Sequence, residues 1–120
     1  MSPELKRHFE EALDDARSAE TGGRWDLAWG ALERAHVLSQ AYALPHLRVH
    51  ARMFRIAWRR RAVREVLGQV PRLILAVPGS LLGRAPRGNT GGANVGLFTP
   101  MPIAAELEAI LARDRAATTR

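Results

Sequence analysis

From residue 3 to about residue 76, the apolar residues of this chain recur at three- and four-residue intervals. That rhythm restricts the chain to an all-α fold. The first helix carries Leu5, Phe9, Ala12, Leu13 and Ala16 on one face. The second opens near Asp26, a cap or first-turn acid, and places Trp25, Ala28, Trp29, Leu32 and Ala35 on one stripe. Leu27, Ala31 and Leu38 widen that stripe, as a helix packed between two neighbours requires. A third helix is expected from about Leu44 to Arg60, with His50, Met53, Phe54 and Ala57 facing one way. A fourth is expected from about Ala62 to Val77, kinked or broken at Pro71.

Turn punctuation falls at Gly22-Gly23 and around Ala43-Leu44-Pro45, so the helices pair as antiparallel hairpins. The spacing of Ala16, Gly23, Trp25, Ala28, Leu32 and Ala35 makes the first hairpin tetratricopeptide-like, because small residues let two helices approach closely. No second copy of the pattern follows: His50 or Phe54 falls where a small residue belongs. Residues 77–102 hold most of the remaining glycines and prolines. A loop of that length inside a domain is either an ordered functional loop over the helices or a mobile strap. A C-terminal helix over residues 103–116 follows Pro102, and the whole of 1–120 reads as a single domain with its helical core at 3–76.

Composition removes several function classes. With no cysteine among 120 residues, disulfide scaffolds, thiolate zinc folds, thiol nucleophiles and iron–sulfur proteins are excluded. The net charge of +6 is a weak pointer to nucleic acid, because Lys6 is the only lysine among the 18 basic residues. Arginine and alanine richness together suit a GC-rich genome. The N-terminus has no apolar run of a secretory signal, and the stretch Leu73 to Leu82 is too short and too broken to span a bilayer. A soluble, cytoplasmic protein is the expectation.

The histidines carry the chemistry. All four lie in the first 50 residues, at helical spacings: His8 with Glu11, Glu33 with His36, and His46 with His50. Glu-x-x-His is the spacing of helical-bundle carboxylate metal sites, and His-x-x-x-His that of helical metal pairs. A turn at Gly22-Gly23 makes facing residues of the first two helices sum to about 45, which sets His8 near His36 and Glu11 near Glu33. A turn near residue 43 makes the next pair sum to about 86, which sets His36 opposite His50 and Gln40 opposite His46. Three pairs then converge on one level of the bundle. Glu33 points further from the inner face than His36, so it is a ligand or an acceptor that orients an imidazole. The bland alternatives are surface or satisfied core histidines, a solvated Glu11, and a Glu33 paired with Arg34 or Arg48. Such a donor set suits Zn, Fe, Co, Ni or Mn, and a mononuclear site comes before a dinuclear one.

Two further segments are weaker. Arg55, Arg59, Arg60, Arg61 and Arg64 surround Trp58, a mixture that can bind phosphates and stack on bases. No nucleic-acid motif accompanies it, so a solvated helix face is the default. Gly83 to Gly92 offers backbone N–H groups and two arginines, the materials of an anion nest, without the Lys-Ser/Thr of a P-loop. The same loop could cover the metal site. Neither Ser39 nor Ser80 has a supporting His–Asp arrangement.

Taken together, Glu33-Arg34-Ala35-His36-Val37-Leu38-Ser39-Gln40, His46-x-x-x-His50, Ala76-Val77-Pro78-Gly79-Ser80, Gly88-Asn89-Thr90-Gly91 and Pro100-Met101-Pro102-Ile103 resemble a small bacterial family of unknown function, DUF3703. The resemblance covers nearly the whole chain. It implies a stand-alone bacterial protein whose Glu-x-x-His, His-x-x-x-His and Gly-Asn-Thr-Gly segments are part of the family pattern, and it implies no activity.

The resulting expectation is a transition-metal-binding helical protein that uses His8, Glu11, Glu33, His36, His46 and His50 for sequestration, sensing or metal-dependent chemistry. Catalysis and oligomeric state stay open. The alternative is a tetratricopeptide-like interaction module that binds a protein or an anionic polymer through its arginine face.

Overall fold

Ser2 caps the first helix by accepting the Leu5 N–H at 3.2 Å, and Pro3 and Glu4 suit its first turn. The computed structural model describes residues 1–119. It contains five helices: α1 (Pro3–Thr21), α2 (Trp25–Ser39), α3 (Ala43–Arg59), α4 (Val63–Leu81) and α5 (Ala105–Thr118). No strand occurs among the described residues, and none of their helices is long and apolar enough to cross a membrane.

α1 pairs with α2, and α3 with α4, as two antiparallel hairpins. The first turn closes on Gly23, whose φ of +70° puts it in the left-handed region, while Arg24 N–H returns to Ala19 O at 2.8 Å. Ala12, Ala16, Ala28 and Ala35 are all buried between α1 and α2, which is the close approach that the small-residue spacing foretells. Phe9, Leu13, Leu32, Val49, Met53 and Ile56 complete the main core. α5 lies across one end, where Ile110 meets Leu5 and Leu38. Its Asp114 accepts the Ser2 N–H at 2.6 Å and the Tyr42 hydroxyl, so both ends of the chain are tied together.

α4 departs from the expected helix in two ways. It runs unbroken through Pro71 and on to Leu81, so the irregular segment begins at residue 82 rather than 77. Each internal proline leaves one carbonyl without its helical partner, four residues earlier at Leu67 and Ile74. Both of those residues face outward, 65% and 69% exposed, where water can serve the freed groups. The helix is also amphipathic in reverse. Its buried residues are Gln69, Arg72, Ala76 and Ser80, while Val63, Leu67, Ile74 and Leu81 lie outside. The inward polar stripe serves the centre described below.

Residues 82–104 form an ordered strap without regular structure, fastened by side chains of the helices. Gln40 donates to Pro86 O and accepts the Gly88 N–H; Glu65 accepts the Ala93 N–H; Arg72 donates to Val95 O at 2.8 Å. Within the strap, Asn89 donates to Gly96 O and Thr99 O and accepts the Gly91 N–H. Gly88, Gly91 and Ala93, among the amides that could have formed an anion nest, direct their N–H groups to Gln40, Asn89 and Glu65. α5 starts two residues later than expected and ends at Thr118.

Candidate metal centre

His46 and His50 stand one turn apart on the inner face of α3, and His36 faces them from α2. All three are buried. Their Nε2 atoms form a near-equilateral triangle: 2.9 Å from His36 to His46, 3.0 Å from His36 to His50, and 3.1 Å from His46 to His50. The three rings share no common stacking plane, so their edges meet at one point.

The other ring nitrogen of each histidine settles its tautomer. His36 Nδ1 lies 2.6 Å from the backbone oxygen of Asn89, which can only accept. His50 Nδ1 lies 2.8 Å from Gln69 Oε1, and the Gln69 amide is oriented by donating to Gly91 O and Glu65. His46 Nδ1 lies 2.8 Å from Ser80 Oγ, whose own hydrogen goes to Gln40 O at 2.6 Å. Each Nδ1 is therefore the protonated nitrogen, and each Nε2 presents a lone pair. Three lone pairs converging within about 3 Å cannot hydrogen-bond to one another; they attract a cation.

A proton is a poor choice for that cation. Burial pushes His46 and His50 down to about 4 and holds His36 well below the usual histidine range, with the neighbouring imidazoles and Arg72 adding to the effect at His36 and His50. A metal ion fits better. His36, His46 and His50 would hold such an ion through their Nε2 atoms, and the ion would supply Lewis-acid or ligand-binding chemistry there.

A cavity of about 190 Å³ opens over the imidazoles. Its walls include Leu75, Ala76, Pro78, Leu82, Leu97 and Phe98, and Arg72 and Arg84 also line it. Gly91 closes one side against His36. Its φ is +89°, and a Cβ there would fall 2.7 Å from His36 Cδ2, so only glycine fits.

Sequence reasoning placed six residues in the centre, and the structure brings together His36, His46 and His50. His8, half-buried, and Glu11, exposed, lie on the flank of α1, 3.6 Å apart, where Arg7 donates to Glu11 at 2.9 Å. The reason is helical phase: Phe9 takes the inward position and His8 is turned off it. Glu33 sits one turn nearer the start of α2, half-buried beside Trp29, and its carboxyl is raised by burial. It orients no imidazole. That role belongs to Asn89, Gln69 and Ser80, which the sequence reading did not single out as a set. One signal was available, since Glu65, Gln69, Arg72 and Ser80 share a face in a helix otherwise rich in Leu, Ile and Val.

The arginine run is largely occupied by its own fold. Arg55 and Arg59 donate to the buried Glu20 at 3.0 and 2.5 Å, and Arg59 and Arg60 lie over the Trp25 ring. No curated protein and no solved structure matches this chain. A family profile does, over residues 3–111, which include the three histidines, their acceptors and the whole strap. The chain belongs to that family, described as protein of unknown function (DUF3703).

Proposed function

We propose that this protein binds one divalent transition-metal ion through Nε2 of His36, His46 and His50. The observation that carries the reading is the fixed tautomer of all three rings: three buried lone pairs meet at one point, each set by a hydrogen bond behind it. Three neutral imidazoles with no thiolate or carboxylate suit Zn²⁺, Fe²⁺, Co²⁺ or Ni²⁺, and leave Mn²⁺, which prefers oxygen, the least favoured. The donor count supports a mononuclear site. An ion held by three protein ligands keeps one exchangeable position, the arrangement that distinguishes reactive or ligand-binding sites from closed structural ones.

Elemental analysis of the protein purified without a histidine tag tests this. One equivalent of bound metal is expected after loading. The His36→Ala, His46→Ala and His50→Ala variants should each lose it, and His8→Ala should retain it. No bound metal, with no gain in thermal stability on adding Zn²⁺, Co²⁺, Ni²⁺ or Fe²⁺, would overturn the reading.

A further inference from the structure

Arg72 is 7% exposed and lines the same cavity as the three imidazoles. Its guanidinium donates to two backbone oxygens, Gly68 O at 2.7 Å and Val95 O at 2.8 Å. Among the described residues no carboxylate pairs with it within 4.0 Å, although buried charges are ordinarily paired. Glu65, the acid of the same helix, makes its hydrogen bonds with the Ala93 N–H and the Gln69 amide and reaches Arg72 only as a charge at longer range. The second charged residue on the cavity wall is Arg84, also a cation, and no Asp or Glu lines the cavity.

The imidazoles are neutral and bring no charge to offset a divalent ion. With a divalent ion bound, the ion, Arg72 and Arg84 together would outweigh the negative charge of Glu65, and the cavity would carry net positive charge beside an exchangeable coordination position. Its volume decides between kinds of anion. About 190 Å³ is several times the space of one water, so hydroxide or chloride alone would leave most of it filled by solvent against Leu75, Pro78, Leu82, Leu97 and Phe98.

Resting on the metal reading above, we infer that the cavity binds a small organic monocarboxylate. Its carboxylate completes the coordination of the metal and balances Arg72, and its short apolar group fills the space walled by Leu75, Leu82, Leu97 and Phe98. A compact acid of butyrate or benzoate size satisfies both the charge and the walls. An uncharged molecule of the same shape meets only the walls, and a bare anion meets only the charge.

The test uses protein loaded with Co²⁺, whose visible spectrum reports its ligands. Metal analysis first establishes the cobalt content. Sodium acetate, butyrate and benzoate are then titrated, with butyramide and benzamide as uncharged counterparts. Saturable spectral changes are expected with the carboxylates and none with the amides. Benzoate should bind roughly tenfold more tightly than acetate, because its ring removes apolar surface from water. Arg84→Gln, at the exposed mouth, should weaken benzoate several-fold with cobalt content unchanged. Arg72→Met, checked for native helicity, should weaken it by at least tenfold.

Absence of bound metal after loading with cobalt, zinc, nickel and iron in turn would overturn the metal reading and this inference together. Stoichiometric cobalt with a spectrum unmoved by benzoate and butyrate would overturn the inference alone. Equal binding of acetate and benzoate would overturn the apolar part of the ligand. Equal binding of benzoate and benzamide would overturn the role of charge.

Discussion

Each imidazole of the centre is held by a different kind of acceptor: a backbone carbonyl from the strap, a hydroxyl and an amide oxygen from α4. Removing one leaves its histidine free to rotate or change tautomer. Ser80→Ala is therefore expected to keep the fold and lower metal affinity by about 10–100-fold, measured by competition with a chromophoric chelator. Gly91→Ala should do more, because its Cβ strikes the His36 ring and its φ is left-handed. A loss of about 2 kcal/mol or more in denaturant unfolding is expected, together with loss of bound metal. The depressed histidines also give the metal-free protein a pH dependence of definite sign. Unfolded histidines take up protons near 6.5, whereas folded His46 and His50 wait until about 4. Between those values the unfolded state holds more protons, so stability falls as pH falls through that window. The urea midpoint at pH 5 should lie below that at pH 7, and an unchanged or higher midpoint would count against buried neutral imidazoles.

At the scale of elements, the pairing of α1 with α2 was legible because alanines at helical spacing flank a glycine turn. The meeting of His36 with His46 and His50 was legible because a short turn fixes the register of α2 and α3. Three things were not. A register sum fixes the level of a residue along a helix and not its angle around it, and so His8 seemed to reach the centre when Phe9 takes the inward direction. Pro71 reads as a break in sequence, and nothing local says that its freed carbonyl faces water. Nor does apolar periodicity, which marks a face and not which way it turns, reveal the reversed amphipathicity of α4. That reversal can be checked. Leu67→Gln and Ile74→Gln should each change unfolding free energy by no more than about 0.5 kcal/mol. Gln69→Leu should cost about 1–3 kcal/mol, because it strands the His50 N–H and the Gly91 carbonyl. At the α3–α4 turn, Arg61 holds a φ of +54°. Arg61→Gly should raise stability by about 0.5–1 kcal/mol in the same assay.

In the whole molecule, two helical hairpins and a strap close around one point. The main core lies between α1, α2 and α3, and the histidines lie beside it, where α2, α3, α4 and residues 89–91 meet. That the strap could cover the centre was among the readings of the sequence; how it is fastened was not, since Gln40, Glu65, Gln69 and Arg72 hold it across separations of 22 to 48 residues. Its glycines suit that packing; its backbone N–H groups are largely taken. Three imidazole lone pairs are held together against their mutual repulsion, and a bound metal ion would relieve it. X-ray absorption at the zinc edge of the loaded protein tests this most directly. The expected first shell is three imidazole nitrogens at about 2.0 Å with one further light-atom ligand. Fewer than three imidazoles, or a shell dominated by carboxylate oxygen, would contradict it.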